Sequence, residues 1–187
     1  MPANKIPPPI EGKHVRLIPF TVEMISERYI GWLNDPEVNR YSRRRFVKST
    51  ETDALEFLSR LNPDEHVLAI LDREGGCHVG NIQFGPVNNF EERAEIRILI
   101  GERGRWGRGF GTESIYLVTR HLFECLGLHR AEANSCNPAF IRCVEKLGWK
   151  REGCLRERFP FEGKRLDYIE LGLLRREFMR DKSFECA

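Results

Sequence analysis

The segment from residue 96 to residue 113 constrains the fold most, because it joins an apolar strand to a helix through a loop rich in glycine and arginine. Gly107, Gly109 and Gly111 allow the backbone to turn tightly and to present consecutive N–H groups. The helix that follows contributes its positive N-terminal end. Three arginines add positive charge to the same region: Arg103, Arg105 and Arg108. The segment therefore predicts an anion site, and a pyrophosphate is the natural ligand.

Three other interpretations fit this loop less well. A Walker-type phosphate loop ends in Gly-Lys-Ser/Thr, whereas this loop ends in Gly111-Thr112-Glu113. A dinucleotide-binding loop needs a third glycine where Thr112 stands, although Glu132 does follow at about the twenty-residue spacing that this fingerprint requires. A turn without a ligand is disfavoured, since closely spaced glycines are costly unless the backbone must approach another group.

Hydrophobic periodicity predicts the elements around the loop. The predicted strands cover residues 14–18, 67–71, 79–84, 94–100, 129–134, 155–161 and 166–174. The predicted helices cover residues 21–33, 50–61, 112–126 and 138–147. This order indicates a mixed α/β (α+β) fold, in which a central, mostly antiparallel sheet of about seven strands has helices on both faces.

Length and composition indicate one soluble domain. We expect a flexible leader over residues 1–11 and a single domain over residues 12–187. The sequence lacks an apolar run of bilayer length and an apolar region typical of a signal peptide, so we expect a cytoplasmic protein with no membrane partner. The net charge of +2 gives no support to a nucleic-acid partner. The six cysteines form no C-x-x-C pair, and we expect no metal site.

Two motifs together carry a resemblance to a known family. The first is Trp106-Gly-Arg-Gly-Phe-Gly111, and the second is Asn137-Pro-Ala-Phe-Ile-Arg-Cys-Val-Glu-Lys-Leu-Gly-Trp149. They resemble the pyrophosphate loop and the following asparagine helix of the GNAT superfamily of N-acetyltransferases. Trp106 stands where Gln or Arg is usual, as in the branch that acetylates ribosomal-protein N-termini, polyamines and amino sugars. The resemblance covers residues 12–178.

This resemblance implies a GNAT-type acyl-CoA N-acyltransferase fold and acetyl-CoA as the co-substrate, without a metal. The strand before the loop would pair with the pantetheine arm, and the loop amides would hold the pyrophosphate. Asn137 would bind the pantetheine, and Arg142 or Lys146 would reach the 3′-phosphate. The implied coenzyme-binding residues are Ile98, Leu99, Ile100, Arg103, Arg105, Trp106, Gly107, Arg108, Gly109, Phe110, Gly111, Thr112, Asn137, Arg142 and Lys146.

The catalytic residues are less clearly indicated. Glu95 begins the coenzyme strand, where the family often keeps a carboxylate, and is our candidate general base. Arg97 lies on the same strand face, so a salt bridge is the competing role for Glu95. The positions where the family usually places a Tyr or a Ser as general acid are Val144 and Phe140 here. The acid is then water or a residue of the final hairpin such as Tyr168.

The acceptor is indicated only by the segment Trp32-Leu-Asn-Asp-Pro-Glu-Val-Asn-Arg-Tyr41, which resembles members that acetylate nucleotide-linked amino sugars. Basic residues follow it, and they either grip a substrate phosphate or form a solvated loop. The candidate substrate residues are Trp32, Tyr41 and Arg45. We favour a small amine over a protein N-terminus. A non-catalytic acyl-CoA-binding module is the alternative from another class, and a homodimer is compatible with the family, although the sequence specifies no interface.

Overall fold

The structure is a computed structural model that describes residues 7–180. It contains one eight-stranded sheet in the order β1-β2-β3-β4-β5-β6-β8-β7. The strands are β1 (Ile10–Glu11), β2 (Val15–Pro19), β3 (His66–Asp72), β4 (His78–Phe84), β5 (Arg93–Ile100), β6 (Arg130–Ser135), β7 (Lys150–Phe161) and β8 (Lys164–Leu174). The helices are α1 (Glu27–Asn34), α2 (Glu51–Ser59), α3 (Phe110–Arg120), α4 (Pro138–Lys146) and α5 (Arg175–Phe178).

The sheet is mixed and mostly antiparallel, which confirms the predicted fold class. Only β5 and β6 run parallel, and their pairing is limited to three residues of each strand, Arg93 to Glu95 and Arg130 to Glu132. All other neighbours pair antiparallel. The short parallel pairing is the narrowest connection between the two halves of the sheet.

Helices cover both faces of the sheet through separate apolar clusters. The larger cluster joins α3 and α4 to inward-facing strand residues such as Ile70, Ile82 and Ile96. The second cluster packs α1 and α2 on the opposite face, against Ala69 and Leu99 among others. Ile96 and Leu99 lie on opposite faces of β5 because side chains alternate along a strand. Each face of β5 thus meets a different pair of helices.

The first predicted helix begins later than the sequence indicated. Thr21 precedes only a short 3₁₀ turn, and α1 starts after Ser26, whose hydroxyl accepts the N–H of Tyr29 at 3.2 Å. Thr50 caps α2 in a reciprocal capping box with Asp53, so this helix begins where the range 50–61 placed it. The hydroxyl that caps α1 is that of Ser26 and not that of Thr21, which is why α1 begins later than residue 21.

The predicted leader ends earlier than residue 11. Ile10 and Glu11 form the edge strand β1, which pairs with Leu17 and Arg16 of β2. The loop that follows is attached to α3, since the Glu113 carboxylate accepts the backbone N–H groups of Lys13 and His14. Residues 1–6 lie outside the described part of the chain. The sheet thereby gains an eighth strand that is too short for periodicity to predict.

Gly101, at the exit of β5, has no space for a side chain. A Cβ atom there would lie 2.1 Å from the ring of Trp32 on α1. Trp32 also meets the imidazole of His78 edge-on, with ring centroids 5.0 Å apart. This contact fixes the end of β5, and therefore the start of the glycine-rich loop, against the second apolar cluster.

We expect Gly101→Ala to lower the free energy of unfolding by about 1–3 kcal/mol, because the added methyl group overpacks a filled core. Gly31→Ala is the matched control, because nothing lies within 4 Å of the position of its Cβ atom in α1. That change should stabilise the protein by about 0.5–1 kcal/mol through helix propensity. Chemical denaturation measures both, and equal effects of the two variants would contradict the packing argument.

Candidate active site

An opening in the centre of the sheet separates β5 from β6. Pairing between them stops after Glu95 and Glu132. Beyond this point β5 stays paired with β4 as far as Ile100, and β6 stays paired with β8 as far as Ser135. The side of β5 that faces β6 is therefore a free strand edge from Ile96 onward, within residues 7–180. We call this space the central opening.

The hydrogen-bond register shows which backbone groups of β5 face the central opening. The N–H of Gly85 donates to Glu95 O, and the N–H of Gly101 donates to Val79 O, both on the β4 side. Because these directions alternate along a strand, Ile96, Ile98 and Ile100 point their backbone groups to the other side. Leu99 was predicted to pair with the coenzyme, but its backbone faces β4 and its side chain joins the second apolar cluster. The backbone of Leu99 is thus not available in the central opening.

The glycine-rich loop carries the chain from the end of β5 to the N-terminus of α3. Gly107 and Gly109 have φ angles of +72° and +86°, in the region that favours glycine. The first helical hydrogen bond of α3 runs from the N–H of Glu113 to the carbonyl oxygen of Gly109. The amides of Phe110, Gly111 and Thr112 therefore precede the first helical hydrogen bond. Three N–H donors at the positive end of a helix suit a diphosphate, as the sequence predicted.

The arginines of the loop have different partners. Arg105 forms an ion pair with Asp72, whose side chain is only 2% exposed, so its guanidinium is engaged inside the protein. The prediction that Arg105 binds pyrophosphate is therefore not supported by its position. Arg103 is exposed and lies 3.8 Å from Asp35. Arg108 is exposed and has no ion-pair partner among the described residues, which leaves it free to meet an anion.

Trp106 closes the loop against β5. Its indole N–H donates to the carbonyl of Ile100 at 2.9 Å, and its ring is 44% exposed. The guanidinium of Arg103 lies 5.9 Å from the ring centre. Trp106 therefore occupies one carbonyl of the free edge and shows an apolar surface beside the loop.

The second motif lies at the start of α4. Asn137 caps this helix, because its side-chain oxygen accepts the N–H of Ala139 at 2.9 Å. Its amide N–H₂ has no acceptor among the described residues and is available to a ligand. Thr112 and Cys143 link α3 to α4 through a contact of 3.1 Å between their side chains. Arg142 and Lys146 project from α4 into solvent, as candidates for a phosphate contact require.

A polar group lies on the α1 face of the sheet, next to the central opening. The Glu95 carboxylate accepts the side-chain N–H of Asn134 at 3.2 Å and pairs with Arg97. Arg97 also lies 3.9 Å from Glu65, which sequence reasoning missed. The salt bridge that competed with the catalytic role of Glu95 is therefore present. A carboxylate has about four acceptor sites, so Glu95 can still accept a further proton donor.

Tyr168 on β8 lies beside the end of β6. Its ring packs with Phe159 and Cys136 in a third apolar cluster, and the guanidinium of Arg158 lies 5.1 Å from its centre. Burial raises the pKa of Tyr168, and the charges of Arg43 and Arg158 act in the opposite direction. The hydroxyl therefore stays protonated at neutral pH and can donate a proton.

The predicted acceptor residues are divided between the core and the surface. Trp32 is buried at 7% exposure in the second apolar cluster, so it positions α1 and does not offer a surface to a substrate. Tyr41 is half-buried and stacks on Phe161 with centroids 5.1 Å apart. Arg45 donates to the carbonyl of Arg40 at 2.9 Å. Tyr41 and Arg45 thus join the segment after α1 to the final hairpin.

Sequence reasoning missed Arg158, Phe161 and Glu65 because no local motif marks them. Both Arg158 and Phe161 belong to β7. Phe161 meets Tyr41, in the segment after α1, and Arg158 lies over the ring of Tyr168 of β8, and both contacts exist only in the folded chain. Among residues 7–180, no group of three or more His, Cys, Asp or Glu side chains could hold a metal ion. In the same residues no helix combines the length and apolar character needed to cross a bilayer.

Comparison with known sequences gives a consistent result. A family model described as an acetyltransferase (GNAT) domain matches residues 14–150. The chain is 28% identical over 151 residues to the uncharacterized N-acetyltransferase p20 of Bacillus licheniformis. The matched region covers 78% of this chain and 84% of that protein. It is also 28% identical over 153 residues to alpha/beta-tubulin-N-acetyltransferase 9 of Homo sapiens, covering 75% of this chain and 74% of that protein.

Solved structures share the fold. The spermidine N-acetyltransferase from Vibrio cholerae, solved in complex with CoA and spermine, superposes with a TM-score of 0.78 at 19% identity, over 90% of this chain and 99% of that one. An acetyltransferase of the GNAT family from Bacillus anthracis gives a TM-score of 0.74 at 21% identity, over 90% and 99% of the two chains. At these identities the likeness concerns the fold alone.

Proposed function

The chain belongs to the GNAT family of N-acetyltransferases, and from this premise we propose that it moves the acetyl group of acetyl-CoA to a primary amine by direct attack in a ternary complex. The observation that carries the proposal is the free edge of β5, which leads into a glycine-rich loop at the N-terminus of α3. A ligand with an extended amide chain that ends in a diphosphate matches both features in this order: the amide chain fits the free edge of β5, and the diphosphate fits the loop at the start of α3. Acetyl-CoA supplies such an arm together with an activated acyl group.

The donor set of the central opening fits this co-substrate. Ile96, Ile98 and Ile100 direct backbone groups toward a missing strand, which is how an extended amide arm adds to a sheet, and of these groups the carbonyl of Ile100 is already bonded to Trp106. The amides at the start of α3 suit the diphosphate. Asn137 has a free amide N–H₂ next to the same space. Arg108, Arg142 and Lys146 supply exposed positive charge for the remaining phosphate.

The chemistry needs a donor for the carbonyl oxygen and a base for the amine. A backbone N–H of β5 directed into the central opening, at Ile98 or Ile100, stabilises the negative charge that develops on the thioester oxygen. Glu95, on the α1 face next to the opening, takes the proton from the amine directly or through a water. As the C–N bond forms and the C–S bond breaks, the leaving sulfur receives a proton from Tyr168 or from water.

We propose a small amine as the acceptor, with a nucleotide-linked amino sugar as the leading candidate. The support is the Trp32 to Tyr41 segment and the basic residues that follow it. An N-terminus of a protein is the alternative acceptor, and a tubulin acetyltransferase is among the relatives. A non-catalytic acyl-CoA-binding role competes with both, because Val144 and Phe140 replace the usual acids and Val144 is fully buried.

We expect titration calorimetry to detect binding of acetyl-CoA. Gly109→Ala should weaken this binding about tenfold, because an alanine in the left-handed region costs about 1–2 kcal/mol and shifts the loop amides. Gly104→Ala is the control, since Gly104 is exposed, is not among the proposed coenzyme contacts, and its Cβ atom would lie at an ordinary 3.9 Å from Glu102 Oε1. It should stay within about threefold of the wild type, because a surface change of this kind costs under about 0.5 kcal/mol. Absence of heat with the wild type would refute the proposal.

We expect Glu95→Gln to lower kcat about tenfold or more at neutral pH and to leave the KM for acetyl-CoA unchanged, because the amide cannot accept the proton. Glu65→Gln is the control, since it removes the other carboxylate next to Arg97. If Glu95 serves only to hold Arg97, the two variants will lower kcat equally. Unchanged turnover in Glu95→Gln would remove this residue from the mechanism.

Tyr168→Phe should lower kcat about tenfold at pH 7, where a leaving thiolate gains most from a proton donor. The deficit should shrink above about pH 8.5, the ordinary pKa of a thiol, since the thiolate then leaves without a proton. Tyr41→Phe serves as the control, because Tyr41 stacks in the same cluster. Parallel pH–rate profiles for Tyr168→Phe and the wild type would assign the protonation to water.

A further inference from the structure

We infer that the acceptor carries an anionic group, phosphate or carboxylate, which binds in a basic groove on the final hairpin while the amine lies in the central opening. This inference rests on the proposed function and specifies its substrate class. The groove encloses about 490 Å³ and its lining includes Arg45, Phe46, Phe161, Lys164 and Arg165. We call it the basic groove.

The charge of the basic groove is positive. Two carboxylates, Glu157 and Glu162, face its three cations. Glu162 already has a partner outside the lining, because Arg40 lies 3.3 Å from its carboxylate. Arg165 donates to the backbone carbonyl of Glu157, which satisfies a hydrogen bond without neutralising the charge. Positive charge therefore remains for a ligand, and guanidinium groups bind phosphate and carboxylate in the same geometry.

Aromatic rings connect the basic groove to the candidate active site. Tyr168 packs on Phe159 with centroids 6.0 Å apart, and Phe159 packs on Phe46 at 6.2 Å. Phe46 lines the groove and is 60% exposed. The groove thus begins two ring contacts from the proposed acid, so an acceptor that reaches both places must be extended, as a sugar nucleotide is. An exposed ring at its wall also suits stacking against a planar base.

Unpaired cations line the path between the two sites. The charges of Arg43 and Arg158 both lower the pKa of Tyr168, and both side chains are exposed. Neither has an ion-pair partner among residues 7–180, in contrast to Arg97 and Arg40. An anion that approaches Tyr168 therefore meets positive charge that no carboxylate of the described chain has neutralised.

A polycationic acceptor fits the same surface poorly. It would need carboxylates with free charge, but the two that lie beside the central opening, Glu95 and Glu65, share Arg97. The arrangement of charge therefore favours an anionic amine over a polyamine, independently of the groove.

The test compares acceptors that share one amine and differ in charge: glucosamine, glucosamine 1-phosphate, 2-amino-2-deoxygluconate and uridine-diphosphate-linked glucosamine, with spermidine as the polycation. We expect kcat/KM for at least one anionic acceptor to exceed that for glucosamine and spermidine at least about tenfold, the effect of a charge-assisted hydrogen bond or two. A preference for the uridine-diphosphate-linked sugar would support an anion in the basic groove. A preference for 2-amino-2-deoxygluconate, whose carboxylate is one carbon away from the amine, would place the anion in the central opening and overturn the groove.

Substitutions on the final hairpin test whether the anionic group of the acceptor binds in the basic groove. Lys164→Gln should raise the KM for the preferred anionic acceptor about five- to tenfold, with kcat unchanged. Arg156→Gln is the control, because Arg156 is exposed on the same hairpin and does not line the groove. Glucosamine should respond to neither change. Equal effects of Arg156→Gln and Lys164→Gln would overturn the assignment of the anion to the groove.

The remaining outcomes separate the two proposals. Acetylation of glucosamine or spermidine as efficiently as the anionic acceptors would refute the groove and leave the acetyl transfer intact. Acetylation of no amine, with acetyl-CoA bound, would refute the proposed transfer. In that case calorimetry with uridine-diphosphate-linked glucosamine on the CoA-saturated protein still tests the groove, and no heat would refute it as well.

Discussion

The divergence of β5 from β6 is the constraint on which the rest of the structure depends. Each strand remains paired on its outer side, β5 with β4 and β6 with β8, and the larger apolar cluster packs against both halves of the sheet. The strands of the two halves are hydrogen-bonded to each other only along three parallel pairs within residues 7–180. A free strand edge in the middle of a sheet leaves N–H and C=O groups without partners, which a stable fold tolerates only where water or a ligand satisfies them.

The alternation of β5 turns this edge into a reaction site. The backbone groups of Ile96, Ile98 and Ile100 point into the central opening, while the side chains of Glu95 and Arg97 lie on the α1 face. One strand can therefore bind the acyl donor through its backbone and the acceptor through its side chains. In the proposed reaction, the donor and the acceptor would meet where the backbone edge and the polar face adjoin, without any long loop to bring them together.

Sequence reasoning succeeded where local chemistry decides the structure. The glycines of the loop, the helix from residue 138 and most strands follow from short-range rules, and the structure contains them. Short-range rules do not reveal a distant partner. The sequence named Arg105 and Trp32 as ligand contacts, and it could not show that Arg105 pairs with Asp72 of another strand or that Trp32 packs against Gly101.

The proposed acceptor side was predicted only in part for the same reason: Tyr41 and Arg45 were named from the sequence, but the surface is assembled from two segments that are far apart in the chain. Tyr41 and Arg40, which follow α1, pack against Phe161 and Glu162 of the final hairpin. None of these contacts involves the loop before α3 or the helix after Asn137. Changes in the hairpin can therefore alter which amine is accepted while the donor site stays the same, because the two surfaces share only the short stretch of β5 that carries Glu95.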